Sequence, residues 1–223
     1  MFSVYLVPLG RERFELYSEP PDDVAAPERA DGFLRSRMHR LQQRWRDAVN
    51  AARRRDEPRG RLARSRDWAV CRIAEMIAEQ RTLWALRHHT SAAVAFPSTM
   101  SEADAAAARN RVLEGARWHH GIWLVGDGLL FAASGLFVLV PGPNVIAYYF
   151  GVRAVGHYLA WRGARRALNR IVWQMRAEPA LAELAELVNV ARDARADRVA
   201  AIAGRLKLPR LAAFFDRTAV PAR

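Results

Sequence analysis

A mostly α-helical chain with a short N-terminal β-hairpin is predicted by three observations. Apolar residues recur at spacings of three and four between residues 28 and 88, as on the buried face of a helix. The segment from Ile122 to Trp161 is apolar nearly throughout and is broken at Pro141-Gly142-Pro143-Asn144. Short alternating or continuous apolar runs of β type are confined to the N-terminus and one later stretch.

Residues 2–7 and 13–17 flank Gly10-Arg11-Glu12 and predict the β-hairpin, which Pro20-Pro21 ends. Leu34, Met38, Leu41, Trp45 and Val49 then form one stripe along a helix over 28–55. Pro58-Arg59-Gly60 breaks the chain before a second helix over 62–88, which offers Ala69, Ile73, Met76, Ile77, Leu83 and Trp84 for burial. Together they predict a long antiparallel helical hairpin. Residues 91–96 predict a short strand before Pro97. Ser101-Glu102-Ala103-Asp104 predicts a helix start, a hydroxyl cap with acids in the first turn. No breaker follows until Pro141, so this helix runs about 40 residues. A helix resumes after the turn, because proline is tolerated at a first helical position, and continues to about Met175. Two weaker helical patterns, 179–205 and 208–217, complete the chain. The segments group as 1–100, 101–176 and 177–223.

Apolar residues make up 51% of the 223, ample for a core. The net charge is +12, and Lys207 is the single lysine among 35 basic residues. Such a charge suits an anionic membrane surface, nucleic acid or an acidic protein. The arginines of 35–66 are interspersed with acids and carry no nucleic-acid reading motif, which disfavours nucleic acid. The lone Cys71, in an apolar run, excludes an intramolecular disulfide and is expected to be a buried thiol. The N-terminus lacks a basic segment before its apolar residues, so no cleaved signal peptide is expected. No CxxC, HExxH, phosphate-binding glycine loop or nucleophile elbow occurs; no catalytic residue, metal or cofactor is assigned. His88-His89 and His119-His120 are adjacent pairs that point apart on a helix, which is poor metal geometry.

The central apolar segment predicts a transmembrane or re-entrant helical hairpin. Ile122 to Val140 carries one charge, Asp127, and at about 1.5 Å per residue extends roughly 28 Å, close to a bilayer's hydrocarbon thickness. The return leg, Val145 to Trp161, is interrupted by Arg153 and His157. Arg162, Arg165, Arg166, Arg170 and Arg176 follow with no acid among them, and Arg109, Arg111 and Arg117 precede the first leg. That distribution places both chain ends in the cytoplasm. Trp118, Trp123 and Trp161 fall where indoles favour the headgroup level. Gly126, Gly128, Ser134, Gly135, Gly151 and Gly156 permit close helix contacts.

Folding the hairpin about Gly142-Pro143 brings Asp127 level with Tyr158, beside His157 and within reach of Arg153. Tyr149, Arg153 and His157 are four apart and share a helix face. An Asp127–Tyr149–Arg153–His157 cluster is therefore expected between the legs. Two roles are open to it: proton exchange between Asp127 and His157, or a buried ion pair that locks the helices.

Val140-Pro141-Gly142-Pro143-Asn144, Tyr148-Tyr149, Arg153-Ala154, His157, Ala160 and Gly163 resemble the mitochondrial K+/H+ exchange-related family. Val4-Tyr5-Leu6-Val7-Pro8-Leu9 and Phe14-Glu15-Leu16-Tyr17 are similar to its bacterial relatives. The resemblance implies a membrane-associated protein of potassium/proton homeostasis at the inner (cytoplasmic) membrane of a bacterium, as an accessory factor or an oligomeric subunit of exchange. Its implied partners are the bilayer, K+ and H+, and a second copy or another membrane protein. The competing expectation is a basic peripheral module that binds anionic lipid or nucleic acid and transports nothing.

Overall fold

The structure is a computed structural model, and the residues it describes are 1–10, 12–19, 81–134 and 145–219, with the side chains of 145–148 left aside. The helix expected over 28–55, the part of the helix expected over 62–88 that precedes residue 81, Cys71, the arginines of 35–66 and the turn Pro141-Gly142-Pro143-Asn144 lie outside the described residues.

The described residues form a mixed α/β fold. Its centre is a four-stranded sheet made of β1 (Phe2–Gly10), β2 (Arg13–Tyr17), β3 (Ser91–Pro97) and β4 (Val172–Glu178), in the order β2-β1-β3-β4. The β1–β2 pair is antiparallel, with Tyr5 opposite Tyr17 and Val7 opposite Glu15. β3 lies parallel to β1 and to β4, pairing Val4 with Val94 and Val94 with Met175.

Successive side chains of a strand point to opposite faces, and the central strands are buried on both. Val4 and Leu6 of β1, with Ala92, Val94 and Phe96 of β3, face one helical layer. Val7, Leu9 and Ala95 face another. The first layer consists of helical residues 81–86 and the base of a hairpin formed by α1 (Glu102–Ser134) and α2 (Val145–Asn169). Ala105, Ala108, Leu113, Ala160, Ala164 and Ala167 bring these helices close to the sheet. The second layer is α3 (Pro179–Glu186), a 3-10 turn (Leu187–Asn189), α4 (Arg192–Leu206) and α5 (Leu211–Thr218). Leu181, Leu184, Ile202, Leu211 and Phe215 fill its contact with the sheet.

Ser101 caps α1 as its sequence predicts. Its Oγ accepts the Asp104 amide N–H at 3.1 Å and donates to the Asp104 carboxylate at 2.6 Å, while Glu102 and Asp104 sit in the positive first turn.

Three expectations are corrected. The chain is not mostly α with an isolated β-hairpin, because 91–97 and 172–178 extend that hairpin into a four-stranded sheet. The second helix of the hairpin ends at Asn169 rather than near Met175. In β4 Trp173 and Met175 pack on the core, while Val172, Gln174 and Arg176 are exposed. That alternation is a strand's, and the ladder to β3 provides its backbone partners. The transmembrane or re-entrant hairpin is also overturned: among the described residues no helix is long and apolar enough to cross a membrane. Among the described residues the apolar part of α1 is 122–134, with the charged Asp127 inside it. Within α2, Arg153, His157, Arg162, Arg165 and Arg166 break the apolar pattern.

Candidate functional site

The base of the α1–α2 hairpin is held by a close approach to residues 81–86. Gly163 faces the Leu83 backbone so closely that a Cβ there would overlap the Leu83 carbonyl. The Trp84 indole donates to the Gly156 carbonyl at 3.2 Å. Farther out, Gly121 accommodates the Trp161 indole and Gly151 the Phe131 ring. Gly126 and Gly128, expected to permit close helix contacts, have open space where a Cβ would stand.

Beyond this base the burial pattern inverts. Side chains enclosed between the helices are polar: His120, Asp127, Ser134 and His157 are all buried, Asp127 to 1% exposure. Many outward ones are large and apolar, with Leu129 at 67%, Val152 at 71%, and Ile122, Val125, Phe131 and Val155 also exposed. A protein surrounded by water places these classes the other way round.

The structure brings Asp127, Arg153 and His157 together between the helices, with the exposed Tyr149 against Arg153. The Asp127 carboxylate lies 3.2 Å from Arg153 Nε and 3.5 Å from His157 Nε2. The Arg153 contact is off the line of its N–H, and neither Asp127 oxygen accepts a well-directed hydrogen bond. The attraction is therefore one of charge at short range in a poorly solvated setting, where it is weakly screened. Tyr149 is exposed, and its hydroxyl accepts from Arg153 Nη1 at 3.1 Å. The guanidinium lies over two rings, 5.4 Å from Trp123 and 5.5 Å from Tyr149, within cation–π range.

Two members were not anticipated from the sequence. His120 meets His157 with their Nδ1 atoms 2.8 Å apart, and Trp123 stacks on His157 at 6.4 Å between ring centroids. The pair His119-His120 had offered only divergent neighbours. In the folded hairpin His119 stays exposed while His120 turns inward, and the relevant partner is 37 residues away. Only the register of α1 against α2 reveals it. Burial pushes the His120 imidazole down to about 4, and the neighbouring His157 and His119 add to the effect. His157 is also lowered, first by burial and then by Arg153 and His119, against the opposing pull of Asp127. Both rings are consequently neutral at pH 7.

Among the described residues no group of three His, Cys, Asp or Glu side chains could hold a metal ion. The arrangement joins a charge pair to a histidine pair, enclosed by the helices and capped by aromatic rings. It can bind and release protons, and it fixes the register of the hairpin.

No curated protein and no solved structure matches the chain. A family model described as mitochondrial K+-H+ exchange-related matches residues 4–172, which takes in β1 from Val4, β2, β3 and the whole hairpin, and reaches only the first residue of β4. The chain belongs to the mitochondrial K+-H+ exchange-related family.

Proposed function

We propose that this protein is an accessory factor of potassium/proton homeostasis that attaches to a membrane surface through the outer half of the α1–α2 hairpin. The inverted burial pattern carries this reading. Ile122, Val125, Leu129, Val152 and Val155 cover the outside of helices whose interior is polar, so an apolar surrounding stabilises the outer half better than water does. Exposed Arg117, Arg162, Arg165 and Arg170 adjoin this region in sequence and complement anionic headgroups. The same charges suit the anionic cytoplasmic face of a bacterial inner membrane.

The family gives the connection to K+ and H+ exchange. An accessory role fits the hairpin better than a carrier's, since alternating access is built from several helices in repeated sets. The cluster around Asp127 then serves as a structural or sensing element.

Flotation of the purified protein with vesicles of neutral or anionic phospholipid tests the attachment. Wild-type protein should float with anionic vesicles, and Leu129→Glu/Val152→Glu should reduce the floating fraction at least about tenfold, two charges being costly in an apolar layer. Failure to float with either composition would sink the proposal. Potassium-dependent proton flux in the same vesicles separates the two family roles. Flux by the purified protein alone would make it a carrier.

A further inference from the structure

We infer that Arg87, His88, Arg162 and Arg166 form a binding site for a phosphomonoester group at the base of the α1–α2 hairpin. The fold assembles these residues from two segments. Gly163 lies against the Leu83 backbone, and Arg87 follows Leu83 by four residues. Arg162 and Arg166 flank that contact, four apart on one face of α2. Arg166 Nε donates to the His89 carbonyl at 3.1 Å and so ties the two segments together. Arg87 Nε donates to His88 Nε2 at 2.8 Å, so a neutral His88 carries its hydrogen on Nδ1 as a further donor. The His88 imidazole is lowered first by its loss of water and then by Arg87, His89, Arg162 and Arg166, basic groups that all bear on this one ring.

Among the described residues none of the three arginines has a carboxylate partner. Arg87 Nη1 is buried without a hydrogen-bond partner. That state is costly, and an acceptor oxygen relieves it through a small turn of the half-buried side chain. Three guanidinium charges exceed what one carboxylate offsets. A phosphomonoester carries close to two negative charges at pH 7, and its oxygens can be shared among several guanidinium forks. The group can arrive on a lipid headgroup or as a soluble phosphate. The lipid source rests on the membrane attachment proposed above, and the level of the site fits it. Gly121 packs on the Trp161 indole, so the exposed Ile122 and Arg162, the next residue of each helix, lie within one turn along the hairpin axis. The phosphate site itself does not depend on that attachment.

The test begins with the purified full chain titrated with inorganic phosphate at pH 7 and constant ionic strength, followed through the His88 ring signals by NMR. These signals should shift and saturate. Exposed Arg162→Gln should weaken the binding at least about tenfold, one charged donor being lost. Arg198→Gln, which removes the same charge from α4, should stay within about twofold of wild type. Absence of a saturable response, or equal losses in the two variants, would overturn the inference. Flotation with phosphatidylcholine vesicles containing phosphatidic acid, or phosphatidylglycerol at matched surface charge, separates the sources. A preference for phosphatidic acid that Arg162→Gln erases supports the lipid headgroup. Saturable phosphate binding without that preference supports a soluble phosphate. Failure to float with any composition sinks the attachment and leaves the phosphate titration to decide the site.

Discussion

The Nδ1 atoms of His120 and His157 lie 2.8 Å apart across the hairpin, so each helix holds the other through a single shared proton. Because the two rings are lowered in the folded chain, their protonation favours unfolding. Well above pH 6.5 the folded and unfolded chains carry the same number of protons on these rings, and their stabilisation is complete. As pH falls from 6.5 toward 4, the unfolded chain gains protons that folded His120 does not. His120 alone should cost about 2 kcal/mol between pH 7 and pH 5. Denaturant unfolding at those two pH values measures it. His120→Phe should flatten the dependence, and an equally flat wild-type curve would contradict it.

Asp127 and Arg153 bring opposite charges together where Asp127 is almost completely shielded. Removing one member leaves the other poorly solvated, while Arg153 keeps partial access to water. Asp127→Asn should therefore destabilise the fold by roughly 1–3 kcal/mol. In a double-mutant cycle with Arg153→Gln, the combined loss should be smaller than the sum of the two single losses. Additive losses would mean that the pair is not coupled.

Gly163 and Gly126 both sit inside helices yet should respond oppositely to alanine. Gly163→Ala drives a methyl into the Leu83 carbonyl and should cost at least about 2 kcal/mol, since rigid backbone must move. Gly126→Ala meets nothing and should be neutral or stabilising by up to about 1 kcal/mol through helix propensity. Paired thermal melts decide the matter. A tolerated Gly163→Ala would show that residues 81–86 do not approach α2 so closely.

Legibility in the sequence followed the range of the interactions. The Ser101 cap, the β1–β2 hairpin and the strand at 91–97 rest on local chemistry and are visible in short stretches. So is the meeting of Asp127 with Arg153 and His157, because one turn and helical periodicity fix the level of each. β4 was concealed because residues 162–169 form a helix immediately before it and no strong breaker separates the two. Its strand character depends on β3, which lies 75 or more residues upstream in sequence.

The sequence by itself determined the antiparallel hairpin, the charged cluster within it and the family resemblance, since each depends on residue identity and spacing. Tertiary structure alone decided the four-stranded sheet, the Gly163–Leu83 contact and the choice of His120 over His119, because each requires a distant segment to approach. It also decided how the apolar segment is used. Hydropathy counts apolar residues but not their direction, whereas folding turned the polar ones inward and left the apolar ones outside.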